Sequence, residues 1–410
     1  GYLPVITPHI GSKDLYVTTS GSVTGTVKYG DDKIDGAEVT YSSSDETVAT
    51  IAADGAITYK KAGSTTITAS YAGDDEYAAC EETYTLVLYD TTPQATQVAI
   101  TLNNTFFGCT AFTGWTTGMA TTLSGTNKKI EITYGKGSSA NMYCNSEKVR
   151  FYTNNTFTVT APSGYHITKV VFNASISSAD PTGSVSTTTW TGSASSVSFT
   201  FANKTDLTYV TVTLAPAVTI TTAKYATYCS PHKLDFSETG ITVYKAKVNG
   251  SVVKMTEISN GIVPANTGVI LYKNVDAVTT IAVPVTTTDA TITDNELVGT
   301  TVRTLVKKEA DSKFNYILQK SGSSIVFNMA TTDGAYMPAN RAYLSTAYNA
   351  SAGSARLSVV FEDEETTGIH TVNSGKYAMN GVVYDLQGRR VENPRKGGLY
   401  IVNGRKVVKN

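Results

Sequence analysis

Short runs of alternating polar and apolar residues, separated by turn signals, recur along almost the whole chain. Clear examples are AEVTYSSSDETVATIAADGAITYKKAGSTTITASY over 37–71 and KVRFYTNNTFTVTAP over 148–162. A period of two places successive side chains on opposite faces of a β-strand and does not fit an amphipathic helix. Asp54-Gly55 and Asn249-Gly250 are two-residue hairpin signals, and Asn154-Asn155 predicts a third hairpin turn. The pattern predicts an all-β chain of antiparallel sandwiches.

The composition agrees with this pattern and excludes several classes of protein. The chain has 410 residues, with 33 Lys and Arg against 34 Asp and Glu, and charged residues make up only 16%. This low, balanced charge argues against a nucleic-acid binder that uses a basic patch, and favours ligand capture by aromatic stacking and neutral hydrogen bonds. A hydrophobic content of 41% excludes a disordered chain. No stretch approaches the ~20 apolar residues of a membrane-spanning helix.

Changes in this pattern divide the chain into four parts. We predict a β-sandwich over residues 1–90 (the first unit), a jelly-roll-like sandwich over 98–216 (the second unit) and a third β-rich domain over 217–361 (the third unit). The acidic run at 362–365 marks a boundary, and a short tail of β-strands follows over 366–410. The expected architecture is therefore a series of tandem β-sandwich modules.

The third unit contains a sequence echo. Val263–Leu271 reads VPANTGVIL, and Met337–Leu344, 74 residues later, reads MPANRAYL. Each Pro-Ala-Asn is predicted to form a turn that leads into a buried strand. Two copies suggest a pseudo-repeat, and they fall short of the three or more copies that a solenoid requires.

The first unit resembles the bacterial Ig-like domain, group 2. That family has an aromatic residue before a Ser-Ser-Asp motif, then a VATV run and two strands that each follow a glycine. The matching residues are Tyr41, Ser43, Ser44, Asp45, Val48, Ala49, Ile51, Gly55, Ile57, Gly63, Thr66 and Ile67. The resemblance implies an Ig-like sandwich, which is common in surface adhesins and often serves as a spacer. The Tyr and Val positions are ordinary core residues, so the resemblance assigns no site.

The tail is similar to the C-terminal sorting domains of Bacteroidetes secretion. The matching residues are Tyr384, Asp385, Gly388, Val391, Gly398, Tyr400, Ile401, Val402, Gly404, Lys406 and Val407. The second and third units also resemble modules of exported proteins from gut Bacteroidetes, including Bacteroides and Prevotella. Together the resemblances point to multidomain Bacteroidetes surface proteins associated with cell adhesion. We expect a secreted or cell-surface location, although the sequence from Gly1 shows no signal peptide.

The four cysteines form no metal-binding motif. Cys80, Cys109, Cys144 and Cys229 are widely spaced, with no CxxC pair and no histidine at the spacing of a zinc ligand. We expect four unpaired and mostly buried thiols. Cys109 and Cys144 are the only two expected in one unit, so a disulfide between them is the alternative.

The sequence shows no arrangement of residues that predicts catalysis. It contains no GxSxG elbow, P-loop or dinucleotide fingerprint. His232, three residues after Cys229, is interpreted as a loop residue because no second half of a site is visible. The acids cluster in predicted turns at 31–32, 74–76 and 362–365, which we interpret as solvated turns, with Ca²⁺ binding as the alternative. We therefore predict a protein that is not an enzyme and has no cofactor.

The candidate binding residues are aromatic side chains of the second unit. A flat ring stacks on the apolar face of a sugar and buries area at a small entropic cost. Trp115 and Trp190 lie in loop-like sequence rich in Thr and Gly, and Tyr143, Tyr152 and Tyr165 are expected nearby. The alternative is that each tryptophan plugs one end of the sandwich.

Three functions fit these observations. The preferred one is a non-enzymatic surface protein that adheres or binds glycan through the second unit, with a glycan or a host cell-surface protein as its partner. The second is a polysaccharide-active hydrolase or its accessory module, which requires two facing carboxylates in a cleft. The third is a structural spacer or an assembly subunit that makes contacts through exposed strand edges.

Overall fold

The computed structural model describes residues 5–10, 14–16, 20–29, 32–90, 92–322, 324–350, 355–362, 370–372, 383–385, 389–392, 395, 399–402 and 405–409. Every regular element in these ranges is a β-strand. The prediction of an all-β chain of sandwich modules is confirmed. Within the described ranges, no helix is long and apolar enough to cross a membrane.

The first unit is a sandwich of two sheets. One sheet has the order β1-β3-β7-β6 with β4 on β3, and the other has the order β2-β9-β8-β5. Ile57 and Ile67 lie between the sheets with Leu86 and Leu88. The β6–β7 hairpin contains Asp54-Gly55, as predicted. The strands are β1 Val5–Ile10, β2 Asp14–Tyr16, β3 Ser20–Tyr29, β4 Asp32–Lys33, β5 Val39–Ser43, β6 Ala49–Ile51, β7 Ala56–Tyr59, β8 Gly63–Tyr71 and β9 Cys80–Tyr89.

The second unit has thirteen strands. They are β10 Gln97–Thr101, β11 Thr122–Asn127, β12 Ile130–Gly135, β13 Tyr143–Cys144, β14 Val149–Phe151, β15 Thr156–Thr160, β16 Tyr165–Phe172, β17 Ile176–Asp180, β18 Ser184–Ser186, β19 Thr189–Ala194, β20 Ser196–Phe201, β21 Thr205–Leu207 and β22 Tyr209–Ile220. The two large sheets have the orders β10-β22-β16-β19-β18 and β11-β12-β15-β20-β17, and a small sheet has the order β13-β14-β21. One apolar core joins the three sheets.

The turn at Asn154-Asn155 forms, but it does not close a hairpin. Asn154 has a left-handed φ of 68°, which asparagine tolerates. The strand before the turn, β14, pairs with β13 and β21, whereas the strand after it, β15, pairs with β12 and β20. The hairpin prediction is wrong because the chain crosses here from the small sheet to a large one.

The third unit is built on one long, curved sheet. Its order is β23-β28-β25-β26-β37-β34-β33-β36-β30, with β32 on β33. The strands are β23 Tyr225–Tyr228, β24 Leu234–Asp235, β25 Thr242–Asn249, β26 Val252–Glu257, β27 Ile262–Val263, β28 Val269–Tyr272, β29 Thr279–Ala282, β30 Leu297–Thr300, β31 Thr304–Val306, β32 Glu309–Ala310, β33 Lys313–Ser321, β34 Ser324–Met329, β35 Ala335–Met337, β36 Arg341–Thr346 and β37 Arg356–Phe361. The end of β22 pairs with β29, so one strand runs from the second unit into the third.

The third unit contains two copies of one strand motif. The pairs β23–β28, β24–β27, β25–β26 and β25–β28 recur as β30–β36, β31–β35, β33–β34 and β33–β36. Asn266 and Asn340, the asparagines of the two Pro-Ala-Asn turns, have left-handed φ values of 58° and 59°. Each turn leads into a strand with buried residues, as predicted. The structure therefore extends the sequence echo into a duplication of six strands, and β29, β32 and β37 lie outside the repeat.

The two copies pack closely around Cys229. A β-carbon on Gly299 would lie 2.2 Å from Cys229 Sγ, and one on Gly268 would lie 3.0 Å from the Gly299 nitrogen. Both asparagine turns bond this segment, since the Asn266 N–H donates to the Ser230 carbonyl at 2.7 Å and Asn340 Nδ2 donates to the Cys229 carbonyl at 3.0 Å. Burial raises the pKa of Cys229 to about 12, so this cysteine is a neutral packing residue.

The described part of the tail is a four-stranded sheet of order β38-β41-β40-β39. Its strands are β38 His370–Val372, β39 Val383–Tyr384, β40 Leu399–Val402 and β41 Arg405–Lys409. Gly388, Gly398 and Gly404, three of the residues that match the sorting domains, lie outside the described residues. The sorting resemblance stays a prediction.

The close contact at Gly299 predicts that one added methyl group at this position destabilises the protein. We expect Gly299→Ala to lower the free energy of unfolding by about 1–3 kcal/mol, because the Cys229 side chain and the facing backbone have to shift. Gly114→Ala is the control, since nothing lies within 4 Å of its β-carbon position. Urea denaturation followed by circular dichroism measures both variants, and equal losses would contradict the close packing of the copies.

Candidate functional site

Trp190 lies in the core of the second unit. It is 0% exposed, and its Nε1 donates to the carbonyls of Pro181 and Thr182 at 3.2 and 3.1 Å. Its ring meets Phe199 edge to face at 6.3 Å. A ring without an exposed face cannot stack on a sugar, so the prediction of Trp190 as a binding residue is wrong. The alternative prediction, a tryptophan that fills the sandwich, describes this residue.

Trp115 lies at the surface and is half-buried. Its inner side packs against the core of the second unit, and Nε1 donates to the Ala120 carbonyl at 3.2 Å. Lys136 Nζ lies 4.8 Å from the ring centroid, which is a cation–π contact. These contacts hold the ring in place and leave part of it open to solvent.

Tyr143 is half-buried and lies beside Arg150 on the small sheet. The two residues are opposite each other in β13 and β14, and the guanidinium carbon lies 5.0 Å from the ring centroid. Asp206 fixes this guanidinium, accepting from Arg150 Nε at 2.6 Å and from a terminal nitrogen at 3.1 Å. Lys148 Nζ also lies 2.7 Å from Asp206. The forked ion pair sets the plane that covers one side of Tyr143.

Tyr152 is joined to the same region through a buried amide. Asn155 is 3% exposed, and its Oδ1 accepts from the Tyr152 N–H at 2.7 Å. Its Nδ2 donates to the carbonyls of Lys136 and Asn141 at 3.0 and 2.9 Å. Asn155 thus connects the segment of Lys136, which contacts Trp115, to the turn that follows β14. Tyr152 also forms a side-chain hydrogen bond with Arg150. We use the name aromatic face for Trp115, Lys136, Tyr143, Arg150 and Tyr152, in which Lys136 is linked to Tyr152 through the bonds of Asn155.

Tyr165 belongs to the junction between the second and third units. Its hydroxyl lies 3.0 Å from His232 Nε2, and the two rings meet edge to face. Burial raises the pKa of Tyr165 to about 12 and lowers that of His232. Both groups are therefore neutral near pH 7 and form a hydrogen bond that joins the units. Of the five predicted binding residues, the structure connects Trp115, Tyr143 and Tyr152 and places Tyr165 elsewhere.

In the acidic turn at 74–76, the carboxylate of Asp74 bonds the backbone of its own turn. Asp74 accepts from the Tyr71 hydroxyl at 2.6 Å and from the N–H groups of Glu76 and Tyr77 at 2.8 and 2.7 Å. These bonds hold the pKa of Asp74 below its ordinary value. Among the described side chains, no group of three or more His, Cys, Asp or Glu residues is arranged to hold a metal. Asp31 and residues 363–365 lie outside the described part.

The four cysteines are free thiols in the structure. Cys109 and Cys144 are nevertheless in contact, with their Sγ atoms 3.9 Å apart. Burial first, and Cys109 second, raise the pKa of Cys144 to about 12. The expected location of this pair in one unit is confirmed.

A groove that the sequence did not predict lies in the third unit. Its cavity volume is about 430 Å³, and its walls include β23 on one side and the segment Ile317–Lys320 of β33 on the other. Apolar and aromatic side chains form most of the lining, and the charged residues among the lining set are Lys320 and Arg341. Arg303 lies 3.4 Å from the ring centroid of Tyr336, another lining residue. The only sequence signal for this groove was the echo that revealed the duplication.

No protein-family model matches the chain, and no curated protein matches it. The solved structures similar to the chain include surface layer protein SbsC, domains 1–6 (10% identity, 87% of this chain, 40% of that chain, TM-score 0.18), the S-layer protein rSbsC(31–844) (10%, 85%, 41%, 0.18) and SbsC domains 4–9 (11%, 90%, 48%, 0.18). The chain thus spans less than half the length of each. A TM-score of 0.18 supports no inference about function.

The ion pairs of Asp206 predict a pH-dependent contribution to stability. Hydrogen bonds from Arg150 first, and from Lys148, lower the pKa of Asp206 to about 2, below the ~3.9 of an unfolded chain. This stabilisation is complete above about pH 4 and is lost as the pH falls through about 2. We expect Asp206→Asn to be less stable than the parent at pH 7, with the difference shrinking between about pH 4 and pH 2.

Urea unfolding at a series of pH values measures this difference. Asp289→Asn is the matched control, because Asp289 pairs with Lys233 while its side chain is 93% exposed, and exposed pairs contribute little. A stability difference for Asp206→Asn that stayed constant from pH 7 to pH 2 would show that the ion pairs do not act as described.

Proposed function

We propose that this chain is a non-enzymatic surface protein that binds glycan in adhesion, through the aromatic face of the second unit. The observation that carries the proposal is the pair of half-buried rings, Trp115 and Tyr143, each with a cation beside it. Rings held by fixed partners lose little entropy when they bind a ligand. Sugars are recognised by such rings together with neutral hydrogen-bonding groups.

The state of the carboxylates favours binding over hydrolysis. A glycosidase needs one carboxylic acid whose pKa is raised, so that it can protonate the leaving group. Every described carboxyl with a displaced pKa has it lowered by hydrogen bonds or cations; these are Asp45, Asp74, Asp90, Asp206, Asp235, Asp289, Asp294 and Glu362. These groups are ionised acceptors near pH 7, which supports a binding protein in preference to the hydrolase alternative.

A surface location and an adhesive role are supported by the resemblances of the first unit and the tail and by the chain of sandwich modules. The partner is then a glycan or a glycosylated protein on another cell surface. Stacking on neutral rings is consistent with the balanced charge of the chain, −1 over 410 residues.

A second candidate, the structural spacer, is favoured by the junction between the second and third units. β22 belongs to the sheet of the second unit and pairs with β29 of the third through Ala217–Ile220. The bond between Tyr165 and His232 crosses the same junction. A continuous strand with a side-chain bond resists bending, so these modules would hold the aromatic face at a fixed position. The two roles are compatible in one surface protein.

A glycan array probed with the full chain tests the proposal. We expect Trp115→Ala and Tyr143→Ala each to weaken binding of the selected glycan about tenfold, because each removes a stacking ring. Tyr209→Ala is the matched control, since Tyr209 is a 45% exposed tyrosine of the same unit outside the aromatic face. Calorimetry on the best glycan gives the affinities. Absence of binding to any glycan, or an equal loss in Tyr209→Ala, would reject the proposal.

A further inference from the structure

The two copies of the third unit differ in how the backbone groups of one strand edge are bonded. In the first copy, β25 pairs with β28 only as far as Tyr244, which lies opposite Ile270. In the second copy, β33 pairs with β36 only as far as Tyr316, which lies opposite Leu344. Beyond these tyrosines each strand continues with one edge no longer covered by its neighbour. Two residues on each edge follow: Ala246 and Val248 in the first copy, and Leu318 and Lys320 in the second.

In the first copy this edge is capped by the segment that precedes β30. The Ala246 N–H donates to Asn295 Oδ1 at 3.2 Å, and the Val248 N–H donates to Glu296 Oε2 at 2.7 Å. The Glu296 N–H in turn donates to the Ala246 carbonyl at 2.7 Å. One amide, one carboxylate and one backbone bond therefore satisfy the edge, as buried backbone groups require.

In the second copy the positions of the two capping residues are occupied by a tyrosine and an alanine. Ile270 and Leu344 are equivalent, because each lies opposite the last paired tyrosine. Thr227 lies opposite Ile270, and Leu297 lies opposite Leu344. The two residues before Thr227, Tyr225 and Ala226, are therefore the equivalents of Asn295 and Glu296. The preceding residues, Lys224 and Asp294, both have left-handed φ values, 67° and 53°. The two segments therefore correspond before the compared residues as well as after them. Tyr225 stacks on Tyr272 at 4.6 Å, and Ala226 ends in a methyl group.

The uncapped groups of β33 point into the groove. Met329, opposite Tyr316 in β34, donates its N–H to the Ala355 carbonyl and so faces away from β33. Bonded and unbonded pairs alternate along an antiparallel ladder, so Leu318 and Lys320 also direct their N–H and C=O groups away from β34. Among the described residues, β23 pairs with β28 and not with β33, and the backbone bonds outside the strand ladders include none from Ala226 to Leu318. Both Leu318 and Lys320 line the groove.

The groove has the charge and shape for an extended acidic chain. Lys320 and Arg341 lie among lining residues that include no Asp or Glu, beside the apolar Ile317, Ile325 and Met337. Among the described residues, no ion pair joins Lys320 or Arg341 to an acid. The wall Ile317–Lys320 is four residues of strand, or about 13 Å at ~3.3 Å per residue.

We propose that this groove binds an extended peptide with carboxylate side chains, which adds as a strand to the open edge of β33. The peptide backbone takes the place that Asn295 and Glu296 occupy in the first copy, and bonds the N–H and C=O groups of Leu318 and Lys320. Its carboxylates face Lys320 and Arg341, and its apolar side chains pack on the groove floor. Strand addition of this kind derives affinity from main-chain bonds and specificity from alternate side chains.

Binding of labelled peptides to the full chain, followed by fluorescence anisotropy, tests the proposal. The probe is a hexapeptide of alternating valine and glutamate, blocked at both ends. One comparison peptide carries lysine in place of glutamate, and another carries N-methyl groups on alternate amides. We expect the lysine peptide to bind at least about fivefold more weakly, because its charges oppose those of the groove. We expect N-methylation on the paired edge to abolish binding, because it removes the donors and adds bulk.

Two variants locate the site. Lys320→Glu should reverse the preference between the glutamate and lysine peptides, whereas Lys313→Glu, an exposed lysine at the other end of β33, should leave it unchanged. Ala226→Glu introduces the capping residue of the first copy and should abolish peptide binding while circular dichroism and the thermal transition stay as in the parent. The unaltered chain with the three peptides gives a result even where a variant folds poorly.

Several outcomes would overturn the proposal. Equal binding of the N-methylated peptide would exclude strand addition, and equal binding of the lysine peptide would exclude the acidic specificity. Binding of an oligouronate with no binding of any peptide would show that the groove is a glycan site. These outcomes leave the glycan proposal for the aromatic face untouched, because Trp115 and Tyr143 lie in the second unit.

Discussion

The hydrogen-bonding groups along strand edges are the constraint on which the rest of this structure depends. Each β-strand leaves a row of N–H and C=O groups that must find partners. The second unit satisfies most of them within two facing sheets and one small sheet. In the third unit, the two ends of one long sheet approach each other. The backbone groups of the strand edges at this place are bonded by nearby segments of the chain. Asn295 and Glu296 cap one edge, and the residues at the equivalent edge, Leu318 and Lys320, line a groove.

Close packing prevents the strands at the two ends of the sheet from shifting along each other. β28 lies between two cores, with Val269 and Leu271 in one and Ile270 in the other. Gly268 and Gly299 bring the backbones of the two copies together where no β-carbon fits. A strand buried on both faces cannot slip by one residue without exchanging its two sets of side chains. The register is therefore fixed, and the two edges differ at two positions, where Tyr225 and Ala226 stand in place of Asn295 and Glu296.

The sequence predicted the class of fold and several turns, because alternation and turn chemistry are local properties. The echo at Asn266 and Asn340 foretold two equivalent turns, since asparagine tolerates the left-handed conformation that both adopt. Local signals do not determine which sheet a strand joins. The sequence therefore predicts a hairpin at Asn154, whereas the strands on either side of this turn belong to different sheets. Trp190 lies in Thr- and Gly-rich sequence typical of a loop, but it belongs to β19 and faces the core. The groove could not be predicted from the sequence. Tyr225 and Ala226 share no sequence pattern with Asn295 and Glu296, and only the strand register relates the two pairs.

Hydrogen exchange resolved to single amides in the free protein tests this account most directly. The N–H groups of Ala246 and Val248 are bonded by Asn295 and Glu296, whereas those of Leu318 and Lys320 face the groove. The account predicts that the first two amides exchange at least about a hundredfold more slowly than the second two, because a bonded amide exchanges only after local opening. Equal protection of the two pairs would contradict it, since the edge of β33 would then be closed and the groove would have no strand to offer.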